Sequence, residues 1–349
     1  LSTGLFRKLA AAIVLVGVAV TLSGCGGFIG KGNAKANRPL TSAAVAKLAS
    51  MGSSPGAPMM VRIFKDTSEL EVWKQTSAGD FRLFKSYEIC AYSGDLGPKI
   101  KEGDRQSPEG FYTITPGLMN PNSNYYLAFN TGFPNKFDRA YGRTGSDLMV
   151  HGDCSSRGCY AMTDEGIAEI YALARETFKG GNPSFQLQIF PFHMTPQNLA
   201  KQSKSPNLDF WKNIKEGYDQ FEIAKVPPKW DVCGRRYVFN ATGPGGVPLD
   251  PVAACPPLSQ DATMLAAIKA KQAADEAVFQ TEVAYVDKKE SAAAAAAERD
   301  AASQAAAKAR GEAIGGFFNG IGSNIGNLFG QQPAQASLDA TAPIPAAKS

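Results

Sequence analysis

The chain alternates between two hydrophobic periods. From Met59, the stretch MMVRIFKDTSELEVWKQ holds short apolar runs with a polar break at Lys65–Glu69, the pattern of a β-hairpin. FRLFKSYEICAYS, Phe81 to Ser93, predicts a longer strand. Phe81, Leu83 and Lys85 project one way before Phe84, Tyr87, Ile89 and Cys90 make the period imperfect. GFYTIT and YYLAFN predict two further strands, and DLMVHG another that ends at His151 and Gly152. At Asp164 the period changes: DEGIAEIYALARETFKG sets Ile167, Ile170, Tyr171 and Ala174 on one helical face, with acidic residues in its first turn. SFQLQIFPFHM returns to a strand, Thr195 and Pro196 open a short helix, and NLDFWKNIKEGYDQFEIAK makes another. The expected fold is mixed α+β, a β-rich domain over residues 59–240 with flanking helices, long enough for one hydrophobic core.

The flanks lack such periods. Residues 25–58 are small, polar and Gly/Pro-bearing, and are expected to be a flexible tether. Residues 241–260 read as a Gly/Pro-rich linker, bracketed by Cys233 and Cys255 at disulfide-permitting positions. Residues 261–313 form an Ala-rich helix by propensity, with an apolar stripe too thin for a tight core. Over 314–349 the glycines argue against a stable free helix, although Phe317, Phe318 and Ile321 suit contact with a membrane or partner, and the chain closes in a tail expected to be disordered.

Charge and cysteines bear on compartment. Arg7 and Lys8 precede an apolar run that exits through LSGC, the plan of a secretory signal over residues 1–24. LSGC also resembles the lipobox of bacterial lipoproteins, which implies cleavage before Cys25 and lipid on its thiol. Gly26 and Gly27 follow with no acidic retention residue, so the outer membrane is preferred over the inner. The net charge of +4 falls by two on removal of the signal, and no long basic block with interleaved aromatics suggests nucleic acid. Export permits disulfides. The cysteines beyond Cys25 are Cys90, Cys154, Cys159, Cys233 and Cys255, an odd set that leaves at least one without an intramolecular partner.

The densest chemistry lies in LMVHGDCSSRGCYAMTD, Leu148 to Asp164. A zinc site would use His151, Asp153, Cys154 and Cys159, but His193 is far along the chain. A Cys154–Cys159 disulfide is sterically allowed. A nucleophile reading uses more of the residues: His151 fixed at a strand end, Gly152 for a sharp departure, and Gly158 opening the approach to Cys159. An imidazole in reach raises the thiolate fraction and shuttles a proton, and backbone N–H groups near Gly158 and Cys159 suit an oxyanion. Arg157 suits the thiolate or a substrate carboxylate.

This stretch, with FPNKFDRAYGRTGSDLMV and GPKIKEGDRQSPEGFYTI before it, resembles the YkuD-type L,D-transpeptidase domain, in its YafK-like branch, over about residues 60–205. The resemblance implies a cysteine that attacks a diaminopimelate-containing stem peptide after its third residue, expels D-alanine, and passes the acyl group to an amine. It implies Cys159 as nucleophile and His151 as base, with Ser156 and Gly158 matching the motif. Arg157 stands where the common motif has a second histidine, and Tyr141 where many YafK-like proteins have one.

Arg143, in the turn leading to the catalytic strand, is the preferred substrate residue, with Tyr141 and Arg157; Arg139, Lys99, Lys101 and Arg105 would also suit free carboxylates. His193 is expected to be structural and Cys90 a small buried residue. The expected protein is a periplasm-facing lipoprotein and murein L,D-transpeptidase. Its partners are peptidoglycan stem peptides and an acceptor amine from a second stem or an outer-membrane protein. It needs no cofactor or metal and binds no nucleic acid. Resolution by water, giving a carboxypeptidase or amidase, is the first alternative, and a non-catalytic wall lipoprotein the second.

Overall fold

The structure, a computed structural model, describes residues 34–156 and 158–328, with side chains up to residue 321; Cys25, Arg157 and the expected tail lie outside these limits. Its first helix, α1 (Ser42–Ser50), precedes the strands β1 (Met59–Phe64), β2 (Glu69–Gln75) and β3 (Phe81–Tyr92). Then come β4 (Gly110–Ile114), β5 (Met119–Asn120), β6 (Ala128–Asn130), α2 (Lys136–Ala140), β7 (Met149–His151) and β8 (Tyr160–Met162). The remainder is α3 (Asp164–Lys179), β9 (Phe185–Phe190), α4 (Pro196–Lys201), α5 (Leu208–Ala224), β10 (Trp230–Cys233), β11 (Arg236–Phe239) and α6 (Ala262–Leu328).

Nine strands form one mixed sheet in the order β4-β9-β1-β2-β3-β8-β7-β6-β5. Two junctions are parallel, β1 with β9 and β7 with β8. One face of the sheet packs Val61, Ile63 and Leu187 under Ile167, Ile170 and Leu173 of α3. The other packs Phe64, Phe111 and Phe190 under Trp211 and Ile214 of α5, together with Tyr237 and Phe239 of the β10–β11 hairpin. With both faces covered, MMVRIF in β1 is buried at every position rather than at alternate ones.

The irregular period of β3 has a physical origin. Its pairing with β2 skips a residue between Lys85 and Leu83, a bulge that resets which side chains face the core. Phe81, Phe84 and Tyr87 are therefore buried while Leu83, expected on the same face as Phe81, is exposed.

The expected tether is corrected over much of its length. Thr41 Oγ1 accepts the Ala44 N–H at 3.1 Å to cap α1, which buries Ala44 and Leu48 in the core one helical turn apart. The buried Lys74 ammonium then donates to the carbonyls of Pro55 and Ala57 and, at 2.8 Å, to Thr177 Oγ1. Two apolar residues among small and polar neighbours are a weak sequence signal, yet they suffice once a sheet face is there to receive them.

Residues 241–260 are held by the Cys233–Cys255 disulfide, by Gly234 N–H donating to Ala253 O at 2.7 Å, and by a Thr242–Ser259 bridge. Helix α6 begins on this unit: Ile268 and Phe279 are buried, and Lys271 and Asp275 form ion pairs with Asp219 and Lys215 of α5. The chain divides into two compact units after Val283; in the second, α6 continues to Leu328 through the glycines expected to break it. Among the described residues no helix is long and apolar enough to cross a membrane.

Beneath the sheet end, Lys65 Nζ lies 3.0 Å from Glu109 Oε1, and neither side chain has any solvent exposure. Trp211 Nε1 donates to the other carboxylate oxygen at 2.8 Å. Removing one charge of such a pair leaves the other buried and uncompensated. Glu109→Gln is expected to lower unfolding free energy by about 3–5 kcal/mol, read from the urea midpoint; a loss under about 1 kcal/mol, typical of surface pairs, would show that the pair is not structural.

Candidate active site

Strands β7 and β8 are parallel neighbours, paired Val150 to Tyr160 and His151 to Ala161. Parallel neighbours usually need a crossover of a dozen or more residues; here residues 152–159 make the whole return. Met149 and His151 project from one side of β7 by strand alternation. Extending the register by one pair puts Cys159 beside Met149, and the Met149 N–H does reach Cys159 Sγ at 3.4 Å. Imidazole and thiol thus come from opposite ends of one short parallel pair and line the same cleft. That cleft has a volume of about 300 Å³ and is walled by Tyr125, His151, Ser155, Ser156 and Cys159.

The loop is bound at both ends. Gly152 donates to Tyr125 O at 3.0 Å and Leu127 O at 3.2 Å, and a Cβ on it would lie 2.5 Å from Asp164 Oδ1. Asp164 in turn accepts the Asp153 N–H at 3.0 Å. Asp153 and Cys154 then take left-handed backbone, φ 67° and 36°, uncommon for side-chain-bearing residues. Gly158 sits at φ 128°, so it is conformation rather than space that requires glycine there. Ser156 Oγ donates to Cys159 O at 2.5 Å and accepts the Gly158 N–H at 3.3 Å, while Ser107 Oγ donates to Cys159 O at 3.3 Å.

His151 is 3% exposed, and its Nδ1 lies 2.6 Å from Gly152 O. A carbonyl only accepts, so Nδ1 carries the proton and Nε2 is the basic nitrogen. The Tyr125 ring covers the imidazole, centroid to centroid 4.7 Å. Burial lowers the imidazole below its ordinary pKa, against the opposing hydrogen bond to Gly152. Burial likewise raises the Cys159 thiol, with the Met149 N–H acting in the other direction. Both shifts favour neutral forms, so the resting pair is thiol and imidazole. The thiol itself is turned toward Asp147 O at 3.6 Å.

Cysteine pairing settles two of the alternatives. Cys154 is joined to Cys90, so it is neither a metal ligand nor the partner of Cys159, which is the free cysteine among the described residues. Cys90 is exposed on β3, not buried as expected. Among the described residues no group of three His, Cys, Asp or Glu side chains is placed to hold a metal.

Of the substrate residues expected from sequence, Arg143 and Tyr141 lie away from this cleft. Arg143, 8% exposed, pairs with Asp138 Oδ1 at 2.9 Å and lies among the rings of Phe137, Tyr141 and Phe210. It lines a different cleft, of about 260 Å³, together with the 52% exposed Tyr141. Its charge neutralises the buried Asp138 that completes the capping box of α2. Lys99 is committed to Asp104 at 2.5 Å, and Arg139 to Pro134 O. Lys101 and Arg105 are exposed. His193 stacks on Phe64 at 3.7 Å and meets Glu69 at 3.1 Å. Tyr125 and Asp164, which the sequence marks as a strand residue and a helix-start acid, also shape the site.

The L,D-transpeptidase catalytic domain model, YkuD, matches residues 59–182. A protein of Escherichia coli (strain K12), named "Putative L,D-transpeptidase YafK", is 45% identical over 185 residues, 53% of this chain and 75% of its own length. Its counterpart in Escherichia coli O157:H7 matches to the same extent. The solved helical cell shape determining protein Pgp2 from Campylobacter jejuni is 19% identical, over 54% of this chain and 80% of its own, with a TM-score of 0.32, too distant to transfer detail.

Two outcomes follow from this geometry. Iodoacetamide alkylation of Cys159 should be slow at neutral pH and still be rising above about pH 8.5, the ordinary thiol value, because burial favours the protonated form. A plateau near neutrality would instead indicate a preformed thiolate–imidazolium pair. Gly152→Ala should lower turnover by about ten- to a hundredfold while the fold persists by circular dichroism, since the new methyl group displaces Asp164 from the loop; unchanged turnover would remove that anchor from the site.

Proposed function

The chain belongs to the YkuD family of L,D-transpeptidase catalytic domains, and on that footing we propose a murein L,D-transpeptidase with Cys159 as nucleophile and His151 as general base. One observation carries the reading: the free thiol shares its cleft with an imidazole whose Nδ1 is committed to Gly152, which leaves Nε2 to take the proton. The donor is a stem tetrapeptide. His151 Nε2 accepts the thiol proton as Cys159 Sγ attacks the diaminopimelate carbonyl. Gly158 N–H rests on Ser156, so oxyanion stabilisation falls to the Cys159 N–H. The imidazolium then protonates the departing D-alanine amine, leaving a thioester. An acceptor amine gives a proton to the now neutral His151, attacks the thioester and releases the thiol. Burial of both groups favours the neutral thiol and imidazole before substrate binds, so the proton moves as the sulfur attacks. Arg157, between Ser156 and Gly158 in the sequence, is proposed to hold a donor carboxylate.

The proposed location is the periplasmic side of the envelope, with lipid on Cys25 and the outer membrane as its anchor; the basic-apolar prefix and LSGC support it. The acceptor is an amine of a second stem or of an outer-membrane protein.

Purified protein incubated with tetrapeptide muropeptides should give crosslinked dimer and D-alanine, by product mass. Tripeptide alone, with or without added amine, would overturn transfer in favour of hydrolysis. Cys159→Ala should abolish the acyl-enzyme, and His151→Ala should lower its rate of formation by about 10²–10⁴-fold. Mass spectrometry of the mature N-terminus should find acylated Cys25; an unacylated terminus elsewhere would sink the anchor.

A further inference from the structure

We propose that Cys90, through its disulfide to Cys154, is a positioning residue for the His151–Cys159 pair; this rests on the reading of Cys159 as nucleophile. The bond closes 64 residues and joins β3 to the middle of the short return between β7 and β8. Cys90 occupies the place where β3 slips its register against β8, between the pairs Ile89–Met162 and Ala91–Ala161. A bulge re-aims the side chain of its extra residue, and here it directs a sulfur toward the loop rather than into the core or along the sheet.

The loop needs an outside hold. Its own turn passes through two left-handed residues, Asp153 and Cys154. Ser156 Oγ meets Ser93 Oγ at 3.3 Å, but at the two residues themselves the backbone is held by Asp153 N–H to Asp164 Oδ1 at 3.0 Å and Cys154 N–H to Met162 O at 3.3 Å. Both of those acceptors lie on the chain just after Cys159. Those two hydrogen bonds therefore tie the turn to the segment after Cys159 and not to β3. The disulfide refers the loop to β3 instead, the strand that also pairs with β8. With the crosslink in place, the two segments flanking Cys159 share one reference strand.

Opening the bond is a simple exchange. A dithiol such as dithiothreitol gives up two electrons and two protons, becomes a cyclic disulfide, and leaves Cys90 and Cys154 as thiols, while Cys159 is chemically unaltered. The test compares the wild-type chain with Cys90→Ala/Cys154→Ala, both checked for fold by circular dichroism. The double variant is expected to lose about ten- to a hundredfold in kcat on tetrapeptide donor with KM within about twofold. Its Cys159 alkylation profile should move down in pH toward the ordinary thiol value, because a loosened loop admits water; loss of fold stability alone would not shift that profile. A folded double variant with wild-type kcat and profile overturns the proposal. If the double variant does not fold, graded dithiothreitol on the wild-type chain serves instead, with the opened bond identified by alkylation mass. Activity should then fall as Cys90–Cys154 opens and return on reoxidation; full activity with that bond open overturns the proposal. Cys159→Ala with the crosslink intact keeps the two readings apart, since turnover there would remove the nucleophile assignment and not the role of Cys90.

Discussion

The Lys65 ammonium lies at the end of β1 with no solvent exposure, held by Glu109 at 3.0 Å and by the carbonyls of Asp95, Gly97 and Ser107. Those acceptors belong to the long connection between β3 and β4, which would otherwise pass over the sheet end without regular pairing. The other oxygen of Glu109 ties the same point to Trp211 of α5, so helix, sheet and loop meet at a single charge. From there the constraint runs to the site. Ser107 accepts from Lys65 through its carbonyl and donates through its hydroxyl to Cys159 O, and Tyr160, the next residue, donates to the carbonyl of Pro108 at 2.7 Å. A buried pair is a poor device for raising stability, because desolvation offsets most of its attraction. Its use here is to make one arrangement of the connection far better than any other.

Around that fixed frame the site keeps its charges unformed. Burial acts on His151 and Cys159 in opposite directions on the pKa scale and to the same end, a neutral pair. Such a site stores reactivity as position, with the Nδ1 proton committed and the imidazole lining a cleft against the Tyr125 ring. The residues most suggestive of electrostatic substrate capture, Arg143 and Lys99, are spent on Asp138 and Asp104 inside the fold. Much of the positive charge near β7 is therefore structural.

Elements with a strong period were legible in the sequence: α3 through Ile167, Ile170 and Tyr171, and β1–β2 through their polar break. The His151–Cys159 stretch was legible because glycines, a strand end and two chemical groups fell within a few residues. What escaped depends on residues far apart in the chain. Leu83 was misplaced because bulges break strand parity, and parity is all a single strand offers. Cys90 and Cys154 are 64 positions apart, and an odd cysteine count allows several pairings. Helix α1 looked like tether because its stability comes from the sheet it covers rather than from its own composition. The pairing of Arg143 is hidden for a similar reason: its partner Asp138 is only five positions away, but burial decides whether such a pair is internal or available.

The eight-residue return between β7 and β8 makes chain length itself a variable of the His151–Cys159 geometry. Two strands of three residues leave almost no slack, since one step along a strand advances about 3.3 Å and turns the side chain to the opposite face. A single residue added or lost between Gly152 and Cys159 that the turn did not absorb would enter the pairing as a bulge or a register slip in β8. A slip would turn the sulfur away from the imidazole with every chemical group still present. Composition can drift at Ser155 without touching this phase relation, whereas a change in the count cannot. The interval from His151 to Cys159 thus works as a ruler, and the geometry it measures out is as much a part of the site as the two side chains at its ends.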